Sequence, residues 1–320
     1  MIYPPSALIL APLSGFTDAP YRRSARQCGC RFGFTEMVDA SSLVFAFDRS
    51  KALLFRAPEE TFLGVQLLGG RTDRLREAVE RLNDFDFDVL DFNLGCPVPK
   101  VAKKCAGAEL GLHPEEAARC FATVARYSRF PVSAKLRILD AEDPGPTLRL
   151  CRLLVENGAR ALTVHGRVKQ AFYAGPVHFE IIRAVREAFP EIEVIANGGV
   201  RSAASYDEMK KRTGCTRVMV ATGTMGNPWL FRELADPAGF RGPSAREWRR
   251  VIEEQSAGMI ALYGEENACR RARKIFHDYL KGRGFPGSLR AVASQTSSAA
   301  DLAAWLDTAV NSGVLPDEQM

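Results

Sequence analysis

Eight short apolar runs, each closing on polar or glycine residues, divide the first three quarters of the chain into repeats. They cover residues 8–11, 32–35, 62–68, 89–92, 132–137, 161–165, 194–197 and 218–221. Between them lie segments with apolar residues at helical spacing, such as residues 148–155 ahead of Asn157-Gly158 and residues 179–189 before Pro190. Eight strands, each followed by a helix, is the number that closes a (β/α)8 TIM barrel, an α/β fold. A doubly wound open sheet would share the alternation, but it needs a glycine-rich dinucleotide turn after the first strand. Here that stretch reads Pro12-Leu13-Ser14-Gly15-Phe16-Thr17-Asp18, with Thr17 or Asp18 placed to cap a helix starting near Ala19-Pro20. At 320 residues and 46% hydrophobic content, the chain has apolar material for a core of barrel size.

Past residue 242 the strands stop. Residues 245–263, 266–281, 289–293 and 299–311 read as helices, with a Gly-Pro break at residues 282–287. The expected organisation is a barrel over residues 1–242 and a C-terminal all-helical domain over residues 243–320. No apolar run approaches the roughly 20 residues of a membrane helix, and the N-terminus shows neither a basic leader nor a cleavage pattern, so the expectation is a cytoplasmic protein without membrane attachment. The eight cysteines, at positions 28, 30, 96, 105, 120, 151, 215 and 269, show no CxxC pair and no metal-site clustering. The expectation is therefore no disulfide in a reducing compartment, and no metal. A net charge of +5 permits a polyanionic partner without requiring one.

In a barrel the strand ends meet at one mouth, and the residues there can be read together. They are Gln66, Asn93, Cys96, Lys135, Arg137, His165, Arg167 and Asn197, followed by Gly198, Gly199 and Gly223. Cys96 sits just past a strand, with Gly95 before it and Pro97 after it. That setting favours an oriented thiol over an inert core cysteine. A Lys on an apolar strand, as Lys135 is, must reach solvent, neutralise an anion or pair with a carboxylate. The late glycine loops Asn197-Gly198-Gly199 and Thr222-Gly223-Thr224 would let backbone N–H groups approach a phosphate. A phosphate-bearing cofactor, a Lys, a donor His and a thiol acid form a set suited to flavin chemistry, in which hydride and proton reach opposite faces of an activated C=C bond. His113 reads as a loop or helix-cap residue, His178 as exposed, and His277 as facing RNA or solvent.

Several ordered motifs, taken together, resemble the tRNA-dihydrouridine synthases over nearly the whole chain. They are Ala11-Pro12-Leu13-Ser14-Gly15-Phe16-Thr17-Asp18, Thr35-Glu36-Met37-Val38, Gln66, Asn93-Leu94-Gly95-Cys96-Pro97 with Lys100-Val101, and Lys135-Leu136-Arg137. Later come Val164-His165-Gly166-Arg167 with Tyr173 and Gly175, Asn197-Gly198-Gly199, Gly226-Asn227-Pro228-Trp229-Leu230-Phe231, and Arg273-Lys274. The resemblance implies an FMN enzyme that reduces particular tRNA uridines to 5,6-dihydrouridine with NADPH as reductant. Hydride would pass from reduced FMN to C6 and a proton from Cys96 to C5. It further implies FMN binding by Pro12, Leu13, Ser14, Gln66, Lys135, His165, Asn197, Gly198, Gly199, Ala221, Thr222 and Gly223. Glu36, Asn93, Lys100, Arg137, Arg167 and Tyr173 would line the uridine or nearby RNA. Arg270, Arg271, Arg273 and Lys274 would meet tRNA from the helical domain, within a basic span opposed mainly by Asp278.

Three positions depart from the family pattern. Ala221-Thr222-Gly223 replaces a Gly-Arg-Gly, Cys105 stands where a glycine is usual, and Ile275 stands where a His is usual. Cys105 reads as a tolerated small residue, with oxidative pairing to Cys96 as the alternative. Two other functions stay open on the residues: a flavin barrel acting on a free small molecule, in the manner of dihydroorotate dehydrogenase, and a non-catalytic RNA-binding homologue. A monomer is the expected oligomeric state.

Overall fold

Eight parallel strands pair in sequence order and close into a barrel in the computed structural model, which describes residues 1–316. They are β1 (Leu8–Leu10), β2 (Phe32–Asp39), β3 (Leu63–Leu68), β4 (Val89–Leu94), β5 (Val132–Arg137), β6 (Ala161–His165), β7 (Glu193–Asn197) and β8 (Arg217–Val220). β1 pairs with both β2 and β8, which completes the ring. The fold is thus a (β/α)8 barrel followed by a helical region, and the closed ring rules out the open-sheet alternative. The chain forms two compact units. The first comprises Met1–Ser14, Arg31–Val200 and Ala204–Ala221; the second takes Gly15–Cys30, Arg201–Ala203 and the chain from Thr222 onward.

The inward face of the barrel changes character along each strand. Its floor is apolar: Ile9, Phe34, Val89, Ala161, Ile195 and Met219 belong to one buried cluster. Because strand side chains alternate, the next residues on that face are two further on. In β4 they are Asp91 and Asn93, in β5 Ser133 and Lys135, in β6 Thr163 and His165, and in β7 Asn197. The opposite face stays apolar, as where Phe92 meets Phe121 of the helix Pro114–Tyr127 edge to face at 6.3 Å. Burying those outer aromatics against the helices contributes on the order of 2 kcal/mol per side chain.

β2 runs four residues further than the sequence pattern indicates. Its register against β3 shifts between Phe34 and Met37, so a bulge breaks the alternation that marks a strand, and pairing then resumes at Met37 opposite Gln66. The bulged residues include Thr35, whose Oγ1 accepts from the Gln66 N–H at 3.2 Å.

In the second unit, the helix Ala19–Gln27 is capped by Asp18, whose carboxylate accepts from the Tyr21 N–H at 3.1 Å. It packs on the helix Ala245–Tyr263, where Gly258 lets Pro20 approach: a Cβ there would lie 3.1 Å from the proline ring. Trp248, Phe276 and Trp305 form the aromatic centre of this unit, with ring centroids 5.9 Å apart for Trp248–Trp305 and 4.8 Å for Phe276–Trp305. Residues 243–316 all lie within it. No described helix is long and apolar enough to cross a membrane.

The barrel floor depends on one absent side chain. Gly64 sits opposite Phe34 in register, and a Cβ on it would lie 2.4 Å from the Phe34 ring and 2.9 Å from Val89 Cγ1. Gly64→Val should therefore destabilise the protein by about 1–3 kcal/mol, seen as a lower urea midpoint at unchanged slope.

Candidate active site at the carboxyl ends of the strands

Five elements of the barrel unit bring polar side chains to its upper end. The register places Asn93 beside Lys135, Arg137 beside His165, and His165 beside Asn197. Lys135 Nζ donates to Asn197 Oδ1 at 2.8 Å, and Asn197 Nδ2 donates to the Met219 carbonyl at 2.8 Å, which fixes the orientation of that amide. Gln66 Nε2 donates to Asp91 Oδ2 and Asn93 Nδ2 donates to Gln66 Oε1, both at 2.7 Å. Each end of the Gln66 amide is thus engaged, with one N–H and one lone pair left over.

Cys96 is held through its backbone. Asn93 Oδ1 accepts from the N–H groups of Gly95 and Cys96 at 3.1 and 2.9 Å, and the Cys96 carbonyl accepts from the Ala108 N–H at 3.0 Å. Gly107 closes on the same residue at φ 63°, where a Cβ would lie 2.7 Å from the Cys96 oxygen. The side chain is half-buried, and burial pushes the thiol pKa up, against the pull of Arg137 and Lys135. The group is therefore a protonated thiol at neutral pH, suited to donating a proton rather than to attacking as a thiolate.

Arg137 ties the loops after β4 and β6 together. Its Nε donates to the Gly95 carbonyl at 2.8 Å and its NH1 to the Val168 carbonyl at 3.2 Å, and its guanidinium lies over the Tyr173 ring at 5.5 Å. Arg167 Nε donates to the Gly175 carbonyl at 3.0 Å, and NH1 lies 3.3 Å from His165 Nε2. An arginine can only donate, so His165 Nε2 accepts and the proton of the neutral ring sits on Nδ1. Burial first, then Lys135, Arg137 and Arg167, hold the His165 pKa well below its usual value, so the ring stays neutral.

Gly198 and Gly199 have φ of 123° and 71°, in the range that favours glycine, and a Cβ on Gly198 would lie 2.8 Å from the His165 ring. Cys105 has φ 49°. A left-handed backbone at that position accounts for the glycine expected there. Cys96 and Cys105 are both free thiols.

The remaining expected residues lie on other elements. Pro12, Leu13 and Ser14 follow β1, and Leu13 and Ala221 pack against the apolar floor cluster. Glu36 is buried, at 5% exposure, and Lys100 is exposed on the short helix Pro99–Ala102. Thr222 and Gly223 form a 3-10 turn that belongs to the second unit, as do Arg270, Arg271, Arg273 and Lys274. There Arg270 pairs with Glu266 at 2.7 Å, one helical turn away. Arg273 Nε donates to the Thr296 carbonyl at 2.9 Å, Arg271 lies over the Tyr263 ring, and Lys274 lies over the Phe16 ring at 4.0 Å. His277 lies 2.7 Å from Ser294 Oγ through Nε2. His178 is half-buried rather than exposed, because its N–H donates to the Gly166 carbonyl and draws it under the loop.

Two residues of the site escape the reading of the strand ends: Asp91 and Ser133. They lie one step below Asn93 and Lys135 on the same inward face, and Ser133 Oγ donates to Asp91 Oδ1 at 2.6 Å. A period-two polar pattern in β4 is the signal that marks Asp91.

Burial lowers the Lys135 pKa to about 8, with Arg137 adding to the drop and Asp91 opposing it. An unfolded lysine keeps its proton to about pH 10, so over the interval between, the unfolded chain binds more protons than the folded one. The stability contributed by this group therefore rises as pH climbs from about 8 to about 10. Lys135→Met should lose that rise, a difference on the order of 1 kcal/mol in paired urea titrations at the two pH values.

A family profile for dihydrouridine synthases matches residues 9–313 of the chain. The chain is 32% identical over 314 residues to a probable tRNA-dihydrouridine synthase of Rhizobium leguminosarum bv. phaseoli, covering 96% of both chains. It is 31% identical over 279 residues to tRNA-dihydrouridine synthase B of Pasteurella multocida, with 86% of this chain and 84% of that one covered. It is 32% identical over 280 residues to tRNA-dihydrouridine synthase B of Pseudomonas aeruginosa, at 86% and 84% coverage. A match that runs from the first barrel strand to the last described helix, through every motif at the strand ends, leads to one conclusion: the chain belongs to the dihydrouridine synthase family.

Proposed function

We propose that this protein is an FMN-dependent enzyme that reduces uridines of tRNA to 5,6-dihydrouridine, with Cys96 as the acid that protonates C5. The observation that carries the reading is the setting of Cys96. A thiol kept neutral by burial is held by its own backbone beside a cationic, hydrogen-bonding barrel mouth. That is the arrangement proton delivery to a fixed carbon requires.

The residues present fit FMN. Gly198 and Gly199 adopt left-handed conformations that favour glycine, and a Cβ at Gly198 would fill the space against His165. A cationic Lys135 suits an electron-rich ring, and the neutral His165 and the amides of Asn197 and Gln66 suit its polar edges. Lys135, His165, Asn197, Gln66, Gly198 and Gly199, with Pro12, Leu13 and Ser14 beyond β1, would hold it. Bound and reduced by NADPH, FMN supplies the hydride.

The protein's own residues do the rest. Cys96 keeps its proton through substrate binding because burial outweighs the pull of the nearby cations, and gives it up only to carbon. Arg137 holds the Gly95 carbonyl and so the approach of the thiol, and Arg137, Arg167 and Tyr173 form a rim suited to a nucleotide. Lys100 and Glu36 complete the proposed substrate contacts. A uridine must leave its stack to reach such a site, and we assign Arg270, Arg271, Arg273 and Lys274 of the expected C-terminal domain, residues 243–320, of which 317–320 lie outside the described residues, to holding the tRNA. The protein acts in the cytoplasm as a single chain in this reading.

Purified protein supplied with FMN, NADPH and an unmodified tRNA transcript should add two hydrogens to particular uridines, detected by mass spectrometry of the digested RNA. Cys96→Ala should keep flavin and tRNA binding and lose about a hundredfold or more of the rate. Full activity in that variant would refute the acid role. Reduction of free uracil or orotate with no effect on tRNA would favour a small-molecule enzyme.

A further inference from the structure

We propose that Asp91 is a positioning residue of this site: through Gln66 and Asn93 it sets the sense of a hydrogen-bond chain that ends on the backbone of Cys96. The inference deepens the reading of Cys96 as the acid and takes its functional meaning from it. The chain itself is independent of that reading. It runs from Ser133 Oγ to Asp91 Oδ1 (2.6 Å), from Asp91 Oδ2 to Gln66 Nε2 (2.7 Å), from Gln66 Oε1 to Asn93 Nδ2 (2.7 Å), and from Asn93 Oδ1 to the N–H groups of Gly95 and Cys96 (3.1 and 2.9 Å).

The two ends of this chain have fixed polarity. A carboxylate only accepts, and a pair of backbone N–H groups only donates. Between them, each of the two amides has one orientation that meets both neighbours. With a carboxylate at position 91, Gln66 must turn Nε2 inward, which presents Oε1 to Asn93, which in turn presents Oδ1 to the Cys96 loop. Asp91 is wholly buried, with 0% exposure. A buried carboxylate is costly, and an apolar side chain of similar size would satisfy packing alone. Its position comes from the sheet: Gln66, Asp91 and Ser133 stand side by side in register on β3, β4 and β5. The orientation of a loop residue is thereby drawn from the most rigid part of the barrel.

The test reverses polarity one link at a time and reads the far end. Gln66→Glu sets two carboxylates face to face, so the side chain at position 66 turns away from Asp91 and no longer meets Asn93. Adding Asp91→Asn restores the chain, because the amide then at position 91 donates to the carboxylate at position 66, which still accepts from Asn93. The readout is amide hydrogen exchange at Gly95 and Cys96, followed by NMR on the full chain as purified, with Leu162 in β6 as the internal control. Exchange at Gly95 and Cys96 should quicken by roughly tenfold in Gln66→Glu, and return to within about threefold of wild type in the double variant. Exchange at Leu162 should stay put. If Gln66→Glu fails to fold while the double variant folds, the rescue is the same result. Equal exchange in the single and double variants, failure of both to fold, or no change at Cys96 in Gln66→Glu would each overturn the proposal. Because the measurement reads backbone exchange and requires neither NADPH nor RNA, a failed uridine-reduction assay and a failed positioning chain remain separate findings.

Discussion

Polar side chains that point into a closed barrel have to be satisfied from inside it, and the architecture of this protein follows from how that is done. Above an apolar floor, the inward positions of β3, β4, β5, β6 and β7 carry Gln66, Asp91, Asn93, Ser133, Lys135, His165 and Asn197. An unmet polar group at that depth costs about 1–3 kcal/mol. The cost is avoided by cross-strand bonds that the register supplies, Asp91 with Gln66 and Ser133, and Lys135 with Asn197 across β6. The same bonds leave the mouth with a defined set of donors and acceptors. The polar layer is thus both the condition for closing the barrel and the base on which its chemistry stands.

Electrostatics at this mouth are lopsided. Lys135, Arg137 and Arg167 converge there, and together with burial they keep His165 neutral, while Arg137 and Lys135 oppose the upward shift of the Cys96 thiol. Asp91 is the acid that sits beneath them, and burial first raises its pKa, to about 6, against the bonds from Gln66 and Ser133. At neutral pH the layer therefore holds a carboxylate below and cations above. Such a gradient favours an electron-rich or phosphorylated guest at the surface while leaving the thiol protonated. Arg137 adds rigidity, since one guanidinium binds the loops after β4 and β6.

Much of this was readable from residue order. The strand ends announce themselves because an apolar run that stops in Asn-Leu-Gly-Cys-Pro or Asn-Gly-Gly changes both polarity and backbone freedom at one point. What escaped did so for physical reasons. Asp91 sits between Leu90 and Phe92, and a single acid inside an apolar run looks like noise until the face it shares with Asn93 is known. The end of β2 was hidden by its bulge, which shifts the alternation on which strand recognition rests. His178 was drawn inward by a backbone bond to Gly166, a contact between chain segments that local composition does not encode. The pairing of Arg270 with Glu266 was available from helical spacing, whereas the contact of Arg273 with the Thr296 carbonyl depends on how the helices pack.

The central claim, that this barrel mouth reduces uridine in tRNA with Cys96 as the acid, is tested most directly in RNA from cells that lack the protein. Dihydrouridine would be mapped by mass spectrometry before and after complementation with wild type and with Cys96→Ala. The account predicts loss of dihydrouridine at defined tRNA positions, restored by wild type and not by the variant. An unchanged map in a strain with no related synthase, or full restoration by Cys96→Ala, would contradict it.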